Sequence, residues 1–308
     1  MRFWVGVTDP SWFAFHRARG SGEVNFWQPS SRPPFTKLPE GTPFLFKLKG
    51  AANAIAGGGY YVTTSTLPLE VAWEVFGPQN GAASLHGFRS MIDPKGLSRA
   101  GPREYVCQLV VDAVFLPEDR WLRAPPGFAK NLVQGRSYDA AEPEGAAILA
   151  HVSPWLYGPR PSDLPAAADT GETKWAEPVL VKPRLGQSGF RVRLFEAYER
   201  RCAMTGESTL PTLDAAHIVP YAEAGSDHEI TNGLLLRTDF HRLFDNGLVT
   251  VEPDLTIRVS PRIREAWYNG KAYYRLDGTR LAVVPQRREW RPDPDRLHWH
   301  NTHVFQRA

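Results

Sequence analysis

Leu213 to Leu248 reads LDAAHIVPYAEAGSDHEITNGLLLRTDFHRLFDNGL. It contains a His-Ile-Val-Pro turn at His217 to Pro220, an Asn at Asn232, and a His nine positions later at His241. The run Thr212 to Ile218 predicts a short strand closed by Pro220, and Gly233 to Leu236 predicts a second. The stretch Tyr221 to Thr231 then returns the chain as the loop of a long-looped hairpin. Thr238 or Asp239 can cap a helix whose His241 and Asp245, four residues apart, lie on one face. Leu243 and Phe244 pack that helix onto the hairpin.

Order and spacing together resemble the HNH nucleases, in which a β-hairpin and a short helix grip one divalent metal against a scissile phosphodiester. The chemistry accounts for the residue types: hydrolysis needs a base for water, a cation for the charge that builds on the phosphorane, and a rigid frame for both. The resemblance implies that His217 is the base, since a neutral imidazole titrates near neutral pH. It implies that Asn232 fixes the hairpin loop and His217, and that His241 is a metal ligand. Most HNH nucleases place an acidic or imidazole ligand directly before the base, and here that slot is Ala216. Asp214 has the strand parity of Ala216 but lies about 7 Å away along the strand, and Asp245 lies one helical turn beyond His241. The acidic partner on the ion is therefore open between Asp214 and Asp245. Arg237 and Arg242 flank the helix as candidates for DNA phosphate contact. Imidazole ligation admits Mn²⁺, Ni²⁺ or Co²⁺ beside Mg²⁺. A lone His on such a helix is more often structural than a ligand; the conjunction of three motifs in order is what favours the nuclease.

Only two cysteines, Cys107 and Cys202, are present. That ligand count excludes a Cys-rich structural zinc site and leaves a reducing compartment as the simplest setting. No apolar run approaches the ~20 residues of a membrane span, so the expectation is a cytoplasmic protein with no membrane partner. Net charge is +3 over 308 residues, mild for a DNA binder. From Lys182 onward 19 Lys and Arg stand against 16 Asp and Glu, with 17 of each before it. Recognition must then rest on local clusters such as Arg191 with Arg193, Arg262 with Arg264, and Arg287 with Arg288 and Arg291. Arg191 to Tyr198 predicts the helix that precedes the core in this nuclease subclass.

Pro, Ala and small polar residues crowd Ser153 to Pro183, a natural break in which Trp155, Leu156 and Trp175 can dock on a neighbour. The expected organisation is α+β: residues 1–152, a linker over 153–183, and a ββα-metal HNH domain over 184–308. In the first part, Phe3 to Thr8, Glu23 to Gln28, Thr42 to Lys49, Gly59 to Thr64 and Tyr105 to Phe115 predict strands, and Pro68 to Phe76 and Ser84 to Met91 predict helices. The cadence of EVNFWQ, then GTPFLFKLK, then IAGGGYYV resembles the EVE and PUA-like β-barrels. That resemblance implies a nucleic-acid reader, in several kinds one that accepts a flipped, modified base. A base reader needs flat faces and hydrogen-bonding edges, and Trp12, Asn25, Trp27 and Gln28 are the candidates for such a pocket. Gly57 to Gly59 lacks the Lys-Ser/Thr ending of a phosphate loop.

His298, His300 and His303 read as a tail packed on the domain, with His298 and His300 on one strand face. Two functions remain: a metal-dependent endonuclease restricting double-stranded DNA that carries modified bases, modified cytosine first, or a DNA-binding module with nonspecific or vestigial nicking. The complete His217, Asn232 and His241 set favours the enzyme. Cutting both strands with one metal site implies two copies acting together, as a homodimer, or two successive nicks.

Overall fold

The computed structural model describes residues 1–28, 30, 32–33, 38–92, 104–128, 132, 134–157, 186–223 and 228–307. The chain divides into two compact units, Met1–Arg184 and Leu185–Ala308, and both mix helices with sheet. The first contains, in order, β1 (Arg2–Thr8), α1 (Pro10–Arg19), β2 (Glu23–Gln28), β3 (Pro43–Leu48), β4 (Ala54–Pro68), α2 (Leu69–Phe76), α3 (Leu85–Ile92), β5 (Glu104–Phe115), β6 (Leu122–Arg123), β7 (Gly135–Asp139) and α4 (Pro143–Leu156). Its seven strands form one sheet in the order β2-β5-β4-β3-β1-β7, with β6 also on β4. Only β1 and β3 run parallel.

β4 is the spine of this sheet, pairing with β3, β5 and β6. The triplet Gly57 to Gly59 sits where it is pressed between neighbours: a Cβ on Gly58 would lie 2.9 Å from the Phe44 carbonyl oxygen, and one on Gly59 2.5 Å from that of Val111. These glycines serve close backbone approach, not phosphate binding. Trp12, Phe13, Phe26, Phe44, Phe46 and Val110 fill the core of this unit. The closed barrel expected from the sequence is not observed: among the described residues no backbone ladder joins the edge strands β2 and β7. The side chain of Gln28, at the end of β2, nevertheless donates to the carbonyl of Gln134, one residue before β7, at 3.1 Å. α4 continues through Ser153 and Pro154 to Leu156, so the expected break starts inside a helix, where Leu156 is buried. The rest of that break, with Trp175, lies outside the described residues.

The second unit contains α5 (Gln187–Ala197), β8 (Leu213–His217), β9 (Gly233–Arg237), α6 (Thr238–Asp245), β10 (Val249–Val251), β11 (Ile257–Val259), α7 (Arg262–Trp267), α8 (Lys271–Tyr274) and α9 (Pro294–His303). β8 pairs with β9 and β10 with β11, both antiparallel. Phe190, Leu194, Leu234, Leu235, Phe240 and Phe244 are central in one apolar core. No described helix is long and apolar enough to cross a membrane.

Two local expectations are corrected. Neither Thr238 nor Asp239 caps α6. Thr238 is its first residue and its hydroxyl donates to the Thr212 carbonyl, while the Asp239 carboxylate pairs with Arg237. The histidine-bearing tail is a helix, not a strand. Asp293 caps it by accepting from the Asp295 amide at 2.8 Å, with Pro294 in the first position. A two-residue step on a helix turns His298 away from His300. His300 is buried and stacked on Phe244 with ring centres 3.7 Å apart, its nitrogens meeting the Thr250 hydroxyl and the Phe244 carbonyl.

Burial lowers the pKa of His300 from 6.5 to about 4, so the folded chain holds it neutral. An unfolded chain takes up that proton as pH falls below 6.5, and the folded one does not until about pH 4. Stability is therefore lost across that window. His300→Gln is expected to remove roughly 2–3 kcal/mol of the loss between pH 7 and pH 4.5, read from denaturant melts at the two pH values. An equally steep loss in the variant would show that His300 is not its source.

Candidate functional site

The β8–β9 register places His217 opposite Gly233 at the open end of the hairpin and Asp214 opposite Leu236 nearer its other end. Leu213, Ala216, Leu234, Leu235 and Leu236 are buried and fix the hairpin on the core. Gly233 is needed there because a Cβ would come within 2.6 Å of Leu194 and 2.7 Å of Phe190, both on α5. Tyr198, just after α5, donates its hydroxyl to the Gly233 carbonyl at 3.2 Å.

Asn232 is buried and meets one residue with both ends of its amide. Its Oδ1 accepts from the Val219 N–H at 2.9 Å and its Nδ2 donates to the Val219 carbonyl at 3.0 Å. The backbone adds a bond from the Ile218 N–H to the Asn232 carbonyl at 2.9 Å. The chain leaving His217 is thus clamped at its next two residues. The His217 ring stacks on Phe190 with centres 4.1 Å apart and planes 11° apart. Its Nε2 lies 3.2 Å from Nδ1 of His228, whose own ring stacks on Tyr221. His228 escaped the sequence reading, which treated residues 221–231 only as a return loop. Its one signal is an imidazole four residues before Asn232.

α6 turns Phe240 and Phe244 into the core and leaves His241 half-buried between two carboxylates. His241 Nδ1 lies 3.5 Å from Asp214 and Nε2 3.3 Å from Asp245. The separation of Asp214 from Ala216 along the strand therefore does not keep Asp214 from the histidine, because α6 crosses β8 beside it. Ala216 itself is fully buried. Burial raises the pKa of Asp245, the Asp214 charge raises it further, and His241 opposes both. Arg191 of α5, named from the sequence as part of a basic cluster with Arg193, reaches Asp214 at 3.9 Å and donates to the Leu213 carbonyl at 3.1 Å.

Among the described residues no three His, Cys, Asp or Glu side chains stand as a preformed metal cage. What is present is a ring with a different carboxylate at each nitrogen. One ion can share one of those nitrogens with one carboxylate, leaving the other N–H to donate to the remaining carboxylate, the usual arrangement behind a metal-bound histidine. The N and O donors suit a divalent ion that keeps further water or phosphate ligands.

The two arginines differ. Arg237 is held by Asp239 through two bonds of 2.6 and 2.7 Å and lies over the Phe240 ring, so its charge is already matched. Arg242 is exposed. In the first unit the four candidate pocket residues do not converge. Trp12 is buried among Phe26, Phe46 and Phe115. Asn25 and Trp27 leave β2 on one side to meet Asn80, whereas Gln28 leaves on the other toward Gln134. Both cysteines are buried, and the Cys202 sulfur accepts from the Arg237 amide.

Residues 202–252 match the family model described as HNH endonuclease. The chain carries an HNH endonuclease domain. Its activity is cleavage of phosphodiester bonds, a DNA substrate is implied, and such domains typically use a divalent metal. The HNH match spans β8, β9, α6 and β10 and leaves α7, α8 and α9 outside it. Among solved structures, the chain is similar to a point mutant of the ASCH protein ZmASCH from Zymomonas mobilis, at 11% identity and a TM-score of 0.31, covering 47% of this chain and 96% of that one. It is also similar to the modification-dependent TagI restriction endonuclease, at 15% identity and a TM-score of 0.29, covering 92% of this chain and 75% of that one. No curated protein matches the sequence.

Asn232→Ala strands the Val219 N–H and carbonyl in a buried setting, each worth ~1–3 kcal/mol. The variant is expected to lose about 2 kcal/mol or more of stability and most of its cleavage. Thermal melts and plasmid cleavage on the same preparations check this. Wild-type stability in Asn232→Ala would remove the clamp from the account.

Proposed function

We propose that this chain restricts foreign double-stranded DNA: residues 1–152 read a modified base, modified cytosine first among candidates, residues 153–183 link, and residues 184–308 cut. The observation that supports cutting best is the clamped hairpin, which holds the His217 imidazole at its end while β8 carries Asp214 to the His241 of α6.

In this reading His228 accepts at Nδ1, so His217 carries its proton on Nε2 and is basic at Nδ1. Water gives its proton to that nitrogen as its oxygen attacks phosphorus, and the bond to the leaving oxygen breaks. The Nε2–H bond to His228 then becomes charge-assisted and strengthens as the imidazolium forms. Phe190 stacking and the Asn232 clamp hold the ring in place through the step. His241 with Asp214 or Asp245 would hold a divalent ion, Mg²⁺, Mn²⁺, Ni²⁺ or Co²⁺, which supplies charge neutralisation at the phosphate. Of the two carboxylates Asp214 is the better placed, because it shares β8 with the base and is the less exposed, at 28% against 57%. Arg242 is the phosphate contact that remains available.

The reader rests on the cadence of its strands and on one further observation. Among the described residues, Gln28 Oε1 and both polar side-chain atoms of Gln108 are buried without a hydrogen-bond partner. Gln108 lies opposite Phe26, two residues before Gln28 on β2, so the two amides share one face of the sheet. Buried polar groups are ordinarily satisfied, and this spare capacity suits the edge of a base.

With a divalent ion, His217→Ala is expected to cut plasmid ~10²-fold more slowly than wild type at nearly unchanged DNA affinity. His228→Asn, which keeps an acceptor near the Nδ1 position, should cut faster than His228→Phe, which keeps only the ring. Wild-type cutting in excess EDTA, or by His217→Ala, would overturn the assignment.

Gln108→Leu is expected to leave the fold as stable or more so, because it removes an unsatisfied amide, while reducing the preference for modified over plain DNA. Competition cleavage of the two substrates measures that preference. An unchanged preference would place base reading elsewhere.

A further inference from the structure

Beyond the HNH match, α7 and α8 border a groove of about 820 Å³ that reaches α6 at Arg242. Arg262 and Lys271 line it together with the indole of Trp267. A smaller adjoining hollow is lined by Arg264, Tyr268 and Lys271 again. Among the described residues no carboxylate lines either hollow. Among the described residues none of these four cations makes an ion pair, in contrast with Arg237 and Arg258, which have carboxylate partners. Glu265, the acid on α7, is in no ion pair with them.

Trp267 and Tyr268 are, at 61% and 91% exposure, two of the three large hydrophobic side chains that the described residues leave in solvent. Tyr268 is also strained, with φ of 54° and ψ of 22°. This left-handed conformation favours glycine or asparagine and is an outlier for a bulky residue. A tyrosine held there in full solvent contributes little burial to set against that cost.

We infer that this groove is a second DNA contact, taking the phosphodiester backbone of the duplex beside the cut, with Trp267 and Tyr268 offering stacking faces to exposed bases. The inference rests on the nuclease reading of α6. Unmatched cations select a polyanion, and flat exposed rings beside them select one that carries bases. Arg242 joins the groove to the helix of His241, so the backbone that leaves the active site meets Arg262 and Lys271 next. This placement suits a chain of net charge +3: Arg242, Arg262, Arg264 and Lys271 line two adjoining hollows whose described linings hold no carboxylate.

The test uses the full chain and a 30-base-pair duplex with a short single-stranded overhang at each end, with affinity measured by fluorescence anisotropy over a salt series without divalent ion. Arg262→Gln with Lys271→Gln should flatten the slope of log Kd against log salt by about 1.8, since each phosphate contact contributes ~0.9. Tyr268→Gly should bind at least ~5-fold more weakly and yet melt at or above the wild-type temperature, because glycine relieves the strained φ. Single-turnover cutting at saturating DNA should stay within about 2-fold of wild type in both variants, since the groove acts on binding and not on the chemical step. If wild type cuts DNA and both variants keep its affinity and salt slope, the groove inference fails while the nuclease reading stands. A variant that loses cutting at saturation without losing affinity also overturns it. If wild type neither binds nor cuts, the nuclease reading fails first.

Discussion

A primary amide can accept at one end and donate at the other within a single rigid plane, and Asn232 uses both ends on Val219. Glutamine carries the same pair of ends, but one methylene further from the backbone. The pairing replaces the next rung of a ladder that stops at His217 and Gly233, so the chain can diverge into a loop without exposing unmatched backbone. His217 therefore stands at the point where the sheet ends but its rigidity does not. Phe190 backs the ring, and Phe190 in turn requires a glycine at position 233. A single hydrogen-bonded contact thus links the strand end, the glycine beneath it and the helix behind it.

α6 faces two ways. Phe240 and Phe244 bind it to the core, and Phe244 carries the stacked, neutral His300 on its far side. His241, one residue past Phe240, gains its position from that packing and its environment from Asp214 and Asp245. Two carboxylates around one imidazole repel each other, and the raised pKa of Asp245 records that repulsion together with burial. A cation is the natural remedy for such a cluster. The helix thus brings Asp245 and His241 to the Asp214 edge of the hairpin through its own hydrophobic anchoring.

Hairpin, helix and most strands of the first unit were legible because their signals are local: apolar runs bounded by Pro and Gly, and a His-Asn-His order whose gaps match a known pattern. The meeting of Asp214 with His241 was not, because it depends on how α6 crosses β8, which no spacing along the chain encodes. His228 lay in a loop, where periodicity is silent. The tail was misread because His298 and His300 alternate with Trp299 as strand residues would. Yet Leu297, His300 and Asn301, the buried positions, follow helical spacing after an Asp-Pro start. The pocket candidates of β2 were chosen by residue type; strand alternation sends Asn25 and Trp27 to one side and Gln28 to the other, and Trp12 proved to be core.

The place of β1 has a consequence for how the chain comes off the ribosome. β1 is made before the other strands of its sheet, but it lies between β3 and β7, and its partner on the second side, Tyr138 opposite Phe3, arrives 135 residues later. Until then one flank of a strand with four consecutive buried residues is open to any other strand in the cell. Pairings over such separations form slowly, and unpaired edges invite aggregation. The β8–β9 hairpin closes within 25 residues, from Leu213 to Arg237. Synthesis thus gives the first unit a long interval with an open strand edge and the β8–β9 hairpin a short one.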